Sequence, residues 1–150
     1  DPAEIIEAIP LCELVFINKD EAIEIVSNMH LDVSLETMKD EKFLLKKLAE
    51  LEPKAVVLTN GEQGAWVSDG KSIFYAPAEK TKAMDSTGAG DSFLAGFLAA
   101  YLQQKNLSEC LQWGITNSAE VVQHYGAIKG LLREEEILEK APNIKTEKVE

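Results

Sequence analysis

The sequence predicts an α/β fold, in which helices cover both faces of a sheet to give a three-layer architecture with mixed strand pairing. Short apolar runs of strand length alternate with longer segments of helical periodicity, and this order is typical of a sheet with crossover helices. One hairpin interrupts the alternation, with a turn at Asp69-Gly70 between strands at 65–68 and 72–76. A length of 150 residues fits one domain with a core of ordinary size.

The first half of the chain contains the two strongest strand candidates. Residues 14–17 form a short apolar run. Residues 55–59 are mostly apolar without alternation and rich in β-branched residues, which is typical of a strand buried on both faces. Two helices are expected between them, at 21–29 and 34–51. Pro53 lies just past the second helix, where it stops further helical growth.

The second half is predicted to be mainly helical after an irregular segment at 77–87. A regular apolar stripe follows Gly90, and it consists of Phe93, Leu94, Phe97, Leu98, Tyr101 and Leu102. Small residues on the opposite side permit close packing on a sheet, so we expect both faces of this helix to be covered. Ser108 is a candidate cap for a further helix that runs to about His124. A short charged helix should follow at 133–140, and the last residues should fray.

Composition and charge argue against several classes of partner. The net charge is −11 and no basic stripe is visible, which disfavours nucleic acid or an anionic membrane surface. No apolar run is long enough to span a bilayer and no signal-peptide pattern is present, so we expect a cytoplasmic protein. Whether the chain forms a homo-oligomer is left open.

The cysteines and histidines carry no recognisable metal motif. Cys12 and Cys110 share no motif, so we expect two buried free thiols rather than a disulfide. His30 and His124 lack a carboxylate or thiol partner at ligand spacing, which argues against a metal site built on them.

The run Asp85-Ser-Thr-Gly-Ala-Gly-Asp91 opens directly into the apolar helix and is the strongest functional signal. Small residues let backbone N–H groups approach an anion, and a helix N-terminus favours negative charge. A carboxylate there is expected where a phosphate meets a hydroxyl nucleophile, with Asp91 accepting the hydroxyl proton. The run is neither a Walker A loop nor a dinucleotide fingerprint. The plainer alternative is a glycine-rich connection that merely starts a helix.

This run resembles the second signature of the ribokinase (PfkB-like) family of carbohydrate and nucleoside kinases, with Ser86 where threonine is usual. Three further motifs follow the family's order and spacing. Asn18-Lys-Asp-Glu21 resembles its Asn-x-x-Glu motif, and Thr59-Asn-Gly-Glu-Gln-Gly64 resembles its Thr-x-Gly-x-x-Gly nucleotide turn. Gln123-His-Tyr-Gly-Ala127 resembles its late Gly-Ala loop. The resemblance implies a mostly parallel ribokinase-like sheet.

The resemblance also implies an ATP-dependent kinase that transfers the γ-phosphoryl group to a primary alcohol of a sugar or nucleoside. Asp91 would be the catalytic base, and backbone N–H groups of Gly88, Ala89 and Gly90 would form an anion hole. The implied cofactors are ATP and Mg²⁺, with K⁺ as a further candidate. The nucleotide-binding candidates are Thr59, Gly61, Gly64, Asn117 and Gly126. The metal candidates are Asn18 and Glu21 for Mg²⁺ through water, and Asp85 and Thr87 for a monovalent cation.

Three of these residues have plainer alternatives that the sequence leaves open. Glu21 could be a solvated carboxylate that the helix dipole favours. Asp85 could simply stabilise a turn through its side chain. Asn117 could face another helix rather than adenine.

Family kinases have roughly twice this length, and the part that this chain lacks is N-terminal. Residues 1–150 therefore resemble the C-terminal nucleotide-binding and catalytic part, with the sheet incomplete on its N-terminal side and the lid absent. We expect the isolated chain to lack sugar-kinase activity. The rival hypothesis is a non-catalytic nucleotide-binding half-domain, inactive without its N-terminal part. Residues 119–127 lean towards adenosine-kinase-like members, but the acceptor is not determined.

Overall fold

The computed structural model describes residues 1–150 and confirms the α/β class, with five strands in one sheet in the order β1-β2-β3-β4-β5. The strands are β1 (Leu14–Asn18), β2 (Ala55–Thr59), β3 (Ala65–Ser68), β4 (Ile73–Ala76) and β5 (Glu147–Lys148). The helices are α1 (Pro2–Ala8), α2 (Lys19–Ser27), α3 (Glu41–Ala49), α4 (Ala89–Leu102), α5 (Leu107–Val121) and α6 (Glu134–Lys140). Short 3-10 helices cover Ile9–Leu11, Thr37–Lys39, Gly61–Gln63 and Ala141–Asn143.

The chain divides into two compact units. The first unit consists of Asp1–Asn60, Trp66–Ile73 and Lys148–Glu150. The second unit consists of Gly61–Ala65 and Phe74–Glu147.

The first unit is organised around the parallel pair β1 and β2. Their register runs from Leu14 opposite Ala55 to Asn18 opposite Thr59. Four of the five residues of β2 are buried, as its β-branched run predicts. Their core partners include Ile17, Ala22, Ile25, Val26, Leu44, Leu45 and Leu48. Because the strands are parallel and in register, their carboxyl ends meet at one edge of the sheet.

The helix predicted at 34–51 is interrupted, so this prediction was wrong in its extent. A 3-10 turn at Thr37–Lys39 is followed by α3, which begins only at Glu41. Between them Asp40 adopts an extended conformation, and its Oδ1 accepts a hydrogen bond of 2.7 Å from the Phe43 N–H. A short acidic side chain that bonds to the backbone in this way starts a new helix rather than continuing the old one.

In the second unit α4 packs closely against α5, and glycine makes this approach feasible. A Cβ atom at Gly96 would lie 2.6 Å from the Trp113 carbonyl oxygen, and one at Gly114 would lie 2.7 Å from the Phe93 ring. The expectation that small residues pack on a sheet with both faces covered is therefore corrected. Gly96 faces a neighbouring helix, and Leu102 is 73% exposed although it belongs to the predicted stripe.

The start of α5 and the C-terminal residues also differ from the prediction. The cap of α5 is Asn106 rather than Ser108, since Asn106 and Glu109 exchange side-chain to backbone hydrogen bonds of 2.9 and 3.1 Å. This helix ends at Val121. The predicted frayed C-terminus is also wrong, because the Val149 N–H donates to the Ile73 carbonyl at 2.8 Å.

The two thiols differ in environment, which corrects the expectation that both are buried. Cys110 is fully buried in α5, whereas Cys12, just before β1, is exposed. Burial, with a smaller contribution from the neighbouring Glu109 carboxylate, raises the pKa of the Cys110 thiol to about 12. Because the thiolate is the reactive form, Cys110 should be chemically inert in the folded chain.

We predict that a thiol reagent such as Ellman's reagent labels Cys12 at pH 8 faster than Cys110 by roughly 100-fold or more. The fast phase of absorbance should correspond to one thiol and should vanish in Cys12→Ser. In denaturant both thiols of the unmodified chain should react. Two fast thiols in the native chain would contradict the buried placement of Cys110.

Candidate functional site

The structure places the predicted site residues in two groups, one in each unit. The first unit holds Asn18, Glu21 and Thr59. The second unit holds Gly61, Gly64, residues 85–91, Asn117 and Gly126.

Asn18 and Glu21 form a reciprocal cap at the start of α2. The Asn18 Oδ1 accepts a hydrogen bond of 2.9 Å from the Glu21 N–H, and the Glu21 Oε2 accepts one of 3.0 Å from the Asn18 N–H. This arrangement satisfies two backbone donors that a helix start leaves without partners. The spacing of the Asn-x-x-Glu motif therefore has a structural reason in this chain. Both side chains remain exposed, and their role towards Mg²⁺ stays a prediction.

Thr59 ends β2 beside Asn18, with which it is paired in the parallel register. The side chains that follow these two strands therefore leave the same edge of the sheet. In open α/β sheets this edge, outside the carboxyl ends of parallel strands, is where ligands bind. A contact between Thr59 and a nucleotide stays a prediction.

The nucleotide turn contains two glycines with positive φ, and only at Gly64 is there no room for a side chain. The Gly64 N–H donates to the Gly61 carbonyl at 3.1 Å and closes a 3-10 turn. Gly64 has a φ of +100°, and a Cβ there would lie 2.2 Å from the Ala76 carbonyl oxygen. Gly61 has a φ of +48° but faces open space. Position 64 is thus fixed by packing, whereas position 61 leaves the turn accessible.

The 85–91 run forms a tight loop that ends at the N-terminus of α4. Gly88 is the N-cap with a φ of +78°, and a Cβ there would lie 2.6 Å from the Ala127 methyl group. Asp91 lies in the first turn of α4 and is exposed. The Ala89 N–H donates to the Ser86 carbonyl at 3.1 Å, so one of the three predicted anion-hole donors has a partner within the loop. First-turn N–H groups and the helix dipole favour an anion at this end.

Asp85 ties this loop to the residues that follow α5. Its Oδ1 accepts from the Thr87 N–H at 2.9 Å, and its Oδ2 accepts from the Gly126 N–H at 3.0 Å. Its own N–H donates to the Val122 carbonyl at 3.2 Å. A hydrogen bond from the Thr87 side chain, followed by the two backbone N–H groups, lowers the pKa of Asp85 to about 2. The turn-stabilising role thus has direct geometric support, and the monovalent-cation role of Asp85 and Thr87 stays a prediction.

Asn117 is a buried bridge between three segments of the second unit. Its side chain is only 4% exposed. Its Nδ2 donates to the Ser92 carbonyl in α4 at 2.8 Å, and its Oδ1 accepts from the Leu132 N–H at 3.1 Å. This geometry agrees with the alternative in which Asn117 faces another helix, here α4. A contact with adenine stays a prediction.

Two kinds of feature are absent from the structure. No three His, Cys, Asp or Glu side chains converge in an arrangement that could hold a metal ion directly. None of the helices combines the length and the hydrophobicity that a bilayer-spanning segment requires.

Known proteins share both the sequence pattern and the fold. The sequence profile of the pfkB family carbohydrate kinases matches residues 2–134. An uncharacterized sugar kinase of Archaeoglobus fulgidus is 35% identical over 94 residues, which are 63% of this chain and 38% of that protein. A cytidine kinase of Thermococcus kodakarensis is 34% identical over 122 residues, which are 80% of this chain and 40% of that protein.

A solved structure of a ribokinase from Thermotoga maritima superimposes with a TM-score of 0.77 at 25% identity. The match covers 95% of this chain and 48% of the ribokinase. This chain therefore spans less than half the length of the relatives that it matches.

The low pKa of Asp85 predicts how its stabilising effect depends on pH. A carboxyl whose folded pKa lies below its ordinary value of 3.8 stabilises the fold above that value. The effect is lost as the pH falls towards the folded pKa of about 2. Asp85→Asn should therefore lower the unfolding midpoint at pH 7, and the difference from the unmodified chain should shrink between pH 4 and pH 2.

Urea unfolding followed by circular dichroism at several pH values measures this difference. Asp32→Asn, which removes one exposed carboxylate from the first unit, is the control for the loss of charge alone. A difference in unfolding midpoint between Asp85→Asn and the unmodified chain that stays constant from pH 7 to pH 2 would contradict the predicted stabilisation by the Asp85 carboxylate.

Proposed function

The chain belongs to the pfkB family of carbohydrate kinases, and from this premise we propose that it carries the nucleotide-binding and phosphoryl-transfer part of an ATP-dependent kinase. The proposed acceptor is a primary alcohol of a sugar or nucleoside. The observation that supports this proposal most is the exposed carboxylate of Asp91 in the first turn of α4. This helix begins directly after Gly88, which has a left-handed backbone conformation.

Asp91 is proposed to act as the general base. Phosphoryl transfer requires positioning and charge stabilisation more than covalent assistance from the protein. The N-terminus of α4 offers partial positive charge to the transferred group through the N–H groups of Gly88 and Gly90. The Ala89 N–H would have to leave the Ser86 carbonyl to join them. Asp91 lies on the same turn, from which it would accept the proton of the alcohol as the alcohol attacks. The base and the anion site are thus held by one rigid element.

The nucleotide is proposed to contact Thr59, Gly61 and Gly64, with Asn117 and Gly126 as further candidates. Gly61 suits close approach because nothing lies within 4 Å of the position of its missing Cβ. Gly126 has the same open surroundings and a φ of +86°. Gly64, which packs against the Ala76 carbonyl, would maintain the conformation of the turn, and Gly61 would contact the ligand.

The donor set of Asn18 and Glu21 fits a hydrated magnesium ion. Mg²⁺ prefers oxygen ligands and keeps several waters, so a carboxylate and an amide can hold it through those waters. The reciprocal cap fixes both side chains at the start of α2. When bound with ATP, the ion supplies positive charge to the phosphates. Asp85 and the Thr87 carbonyl are kept as the candidate site of a monovalent cation such as K⁺.

We predict that Asp91→Asn in the whole protein encoded by this gene lowers kcat by roughly 10²–10⁴-fold, as expected for the loss of a general base. The Kd for ATP should hardly change, because the amide keeps the shape of the side chain. Glu135→Gln, which alters a first-turn carboxylate of α6, is the matched control and should keep normal turnover. The measurement is ATP turnover with a panel of sugars and nucleosides that includes adenosine.

Each outcome of this assay has a distinct meaning. Near-normal turnover of Asp91→Asn would refute the assignment of the base. ATP binding by the unmodified protein without turnover of any acceptor would favour the rival, a non-catalytic nucleotide-binding half-domain.

We also predict that Glu21→Gln raises the Mg²⁺ concentration needed for half-maximal activity by roughly 10-fold or more. Glutamine can still accept the N-cap hydrogen bond, so the start of α2 should remain intact. Glu109→Gln makes the same change in the equivalent cap of α5 and should leave the Mg²⁺ titration unchanged. Identical titrations for Glu21→Gln and the unmodified protein would count against a role in holding the ion.

A further inference from the structure

Glu41 joins the two turns that follow β1 and β2, although no motif marks it in the sequence. Its Oε1 accepts a hydrogen bond of 2.7 Å from the Lys19 Nζ and one of 3.0 Å from the Asn60 Nδ2. Lys19 directly follows Asn18, and Asn60 directly follows Thr59. One carboxylate oxygen thus connects the start of α2 with the end of β2.

The position of Glu41 is itself fixed by the fold of the first unit. It is the first residue of α3, whose N-cap Asp40 accepts from the Phe43 N–H at 2.7 Å. The same helix is anchored in the core by its fully buried leucines, Leu44, Leu45 and Leu48. A helix start also favours a negative side chain through the dipole. Glu41 is therefore a rigid acceptor between two turns.

The cluster is partly shielded from water, which strengthens its electrostatic interactions. The side chains of Lys19 and Glu41 are only 22% and 21% exposed. Burial alone would raise the pKa of Glu41, but the hydrogen bonds and charge of Lys19, together with the Asn60 amide, hold it below its ordinary value. The carboxylate is therefore charged at neutral pH. Partly buried ion pairs are screened less by salt than exposed ones.

A second ion pair provides an internal comparison at the opposite ends of the same strands. Lys54, just before β2, contacts Glu13, just before β1, at 2.9 Å. Their side chains are 70% and 57% exposed. Exposed pairs of this kind contribute little to stability. At the amino ends of β1 and β2 an exposed ion pair thus joins the two flanking segments directly. At the carboxyl ends Glu41 of α3 joins them, through a partly buried ion pair with Lys19 and a hydrogen bond from the Asn60 amide.

We propose that Glu41 is a positioning residue for phosphoryl transfer. Through Lys19 and Asn60 it fixes the spacing between the Asn18–Glu21 segment and the Thr59–Asn60 turn. The inference rests on the proposed function, which assigns the first segment to magnesium and the second to the nucleotide. Loss of the shared carboxylate lets the two turns move independently, so binding of the magnesium nucleotide weakens while the base chemistry at Asp91 is preserved.

The test is the Kd of ADP with Mg²⁺, measured by calorimetry on the whole protein encoded by this gene. Glu41→Ala should raise this Kd by roughly 3- to 30-fold. Glu41→Gln, which keeps an acceptor oxygen, should recover a large part of the loss. Glu13→Ala, at the exposed pair, should stay within about twofold of the unmodified protein. In the turnover assay Glu41→Ala should raise KM for ATP and leave kcat within about twofold.

Lys19→Met removes the other partner and should weaken binding in the same direction. Its effect should not add fully to that of Glu41→Ala in the double variant, because both act on one contact. Should Glu41→Ala fail to fold, as judged by circular dichroism, Lys19→Met decides the question.

The outcomes separate this inference from the proposed function. If the unmodified protein binds ADP with Mg²⁺ but Glu41→Ala binds it as Glu13→Ala does, the positioning role is overturned and the proposed function stands. An unchanged Kd in a folded Lys19→Met would overturn it in the same way. If the unmodified protein binds no nucleotide, both the proposed function and this inference fail.

Discussion

Parallel strands end at the same edge of a sheet. In the first unit this constraint determines which segments lie next to each other, namely those that follow β1 and β2. The register that pairs Asn18 with Thr59 places the start of α2 beside the turn after β2. An antiparallel pair would send the two segments to opposite ends. The shared carboxylate of Glu41 depends on this pairing, because Lys19 and Asn60 each directly follow one of the two paired strands. The reciprocal cap at Asn18 is local, and the pairing determines only that it lies beside Thr59.

Several residues that carry the family motifs also hold the local structure. Asn18 and Glu21 cap a helix, and Asp85 joins the glycine loop to the segment after α5. Gly88 leaves room for the Ala127 methyl group. Loss of activity after substitution of a motif residue is therefore not proof that the residue contacts a ligand, because the substitution also removes a structural contact. Separating the two roles requires conservative variants that keep the structural hydrogen bond.

Much of the fold could be predicted because its signals are local. A few consecutive residues are enough to recognise the apolar runs of β1 and β2, the hairpin turn and the loop before α4. The features that were missed depend on distant partners or on competition between neighbours. The strand β5 forms beside Ile73, far away in the sequence, and Asp40 interrupts a helical pattern by taking the Phe43 N–H.

The candidate site shows the same division. Glycine spacing identified the loop at 85–91, but nothing in the sequence indicated that Asp85 would accept from Gly126 or that Asn117 would accept from Leu132. Glu41 was missed because its partners lie 22 and 19 residues away along the chain. Such contacts follow from tertiary packing, which a single sequence does not specify.

The glycines at the crossing of α4 and α5 restrict how this protein can be engineered for greater stability. Replacing a helical glycine by alanine ordinarily gains up to about 1 kcal/mol from helix propensity. At Gly96 the new methyl group would lie 2.6 Å from a backbone carbonyl oxygen, which cannot retreat as a flexible side chain could. At Gly114 it would enter the Phe93 ring. A consensus or helix-propensity redesign should therefore exclude both positions and seek its gains on the exposed faces of these helices.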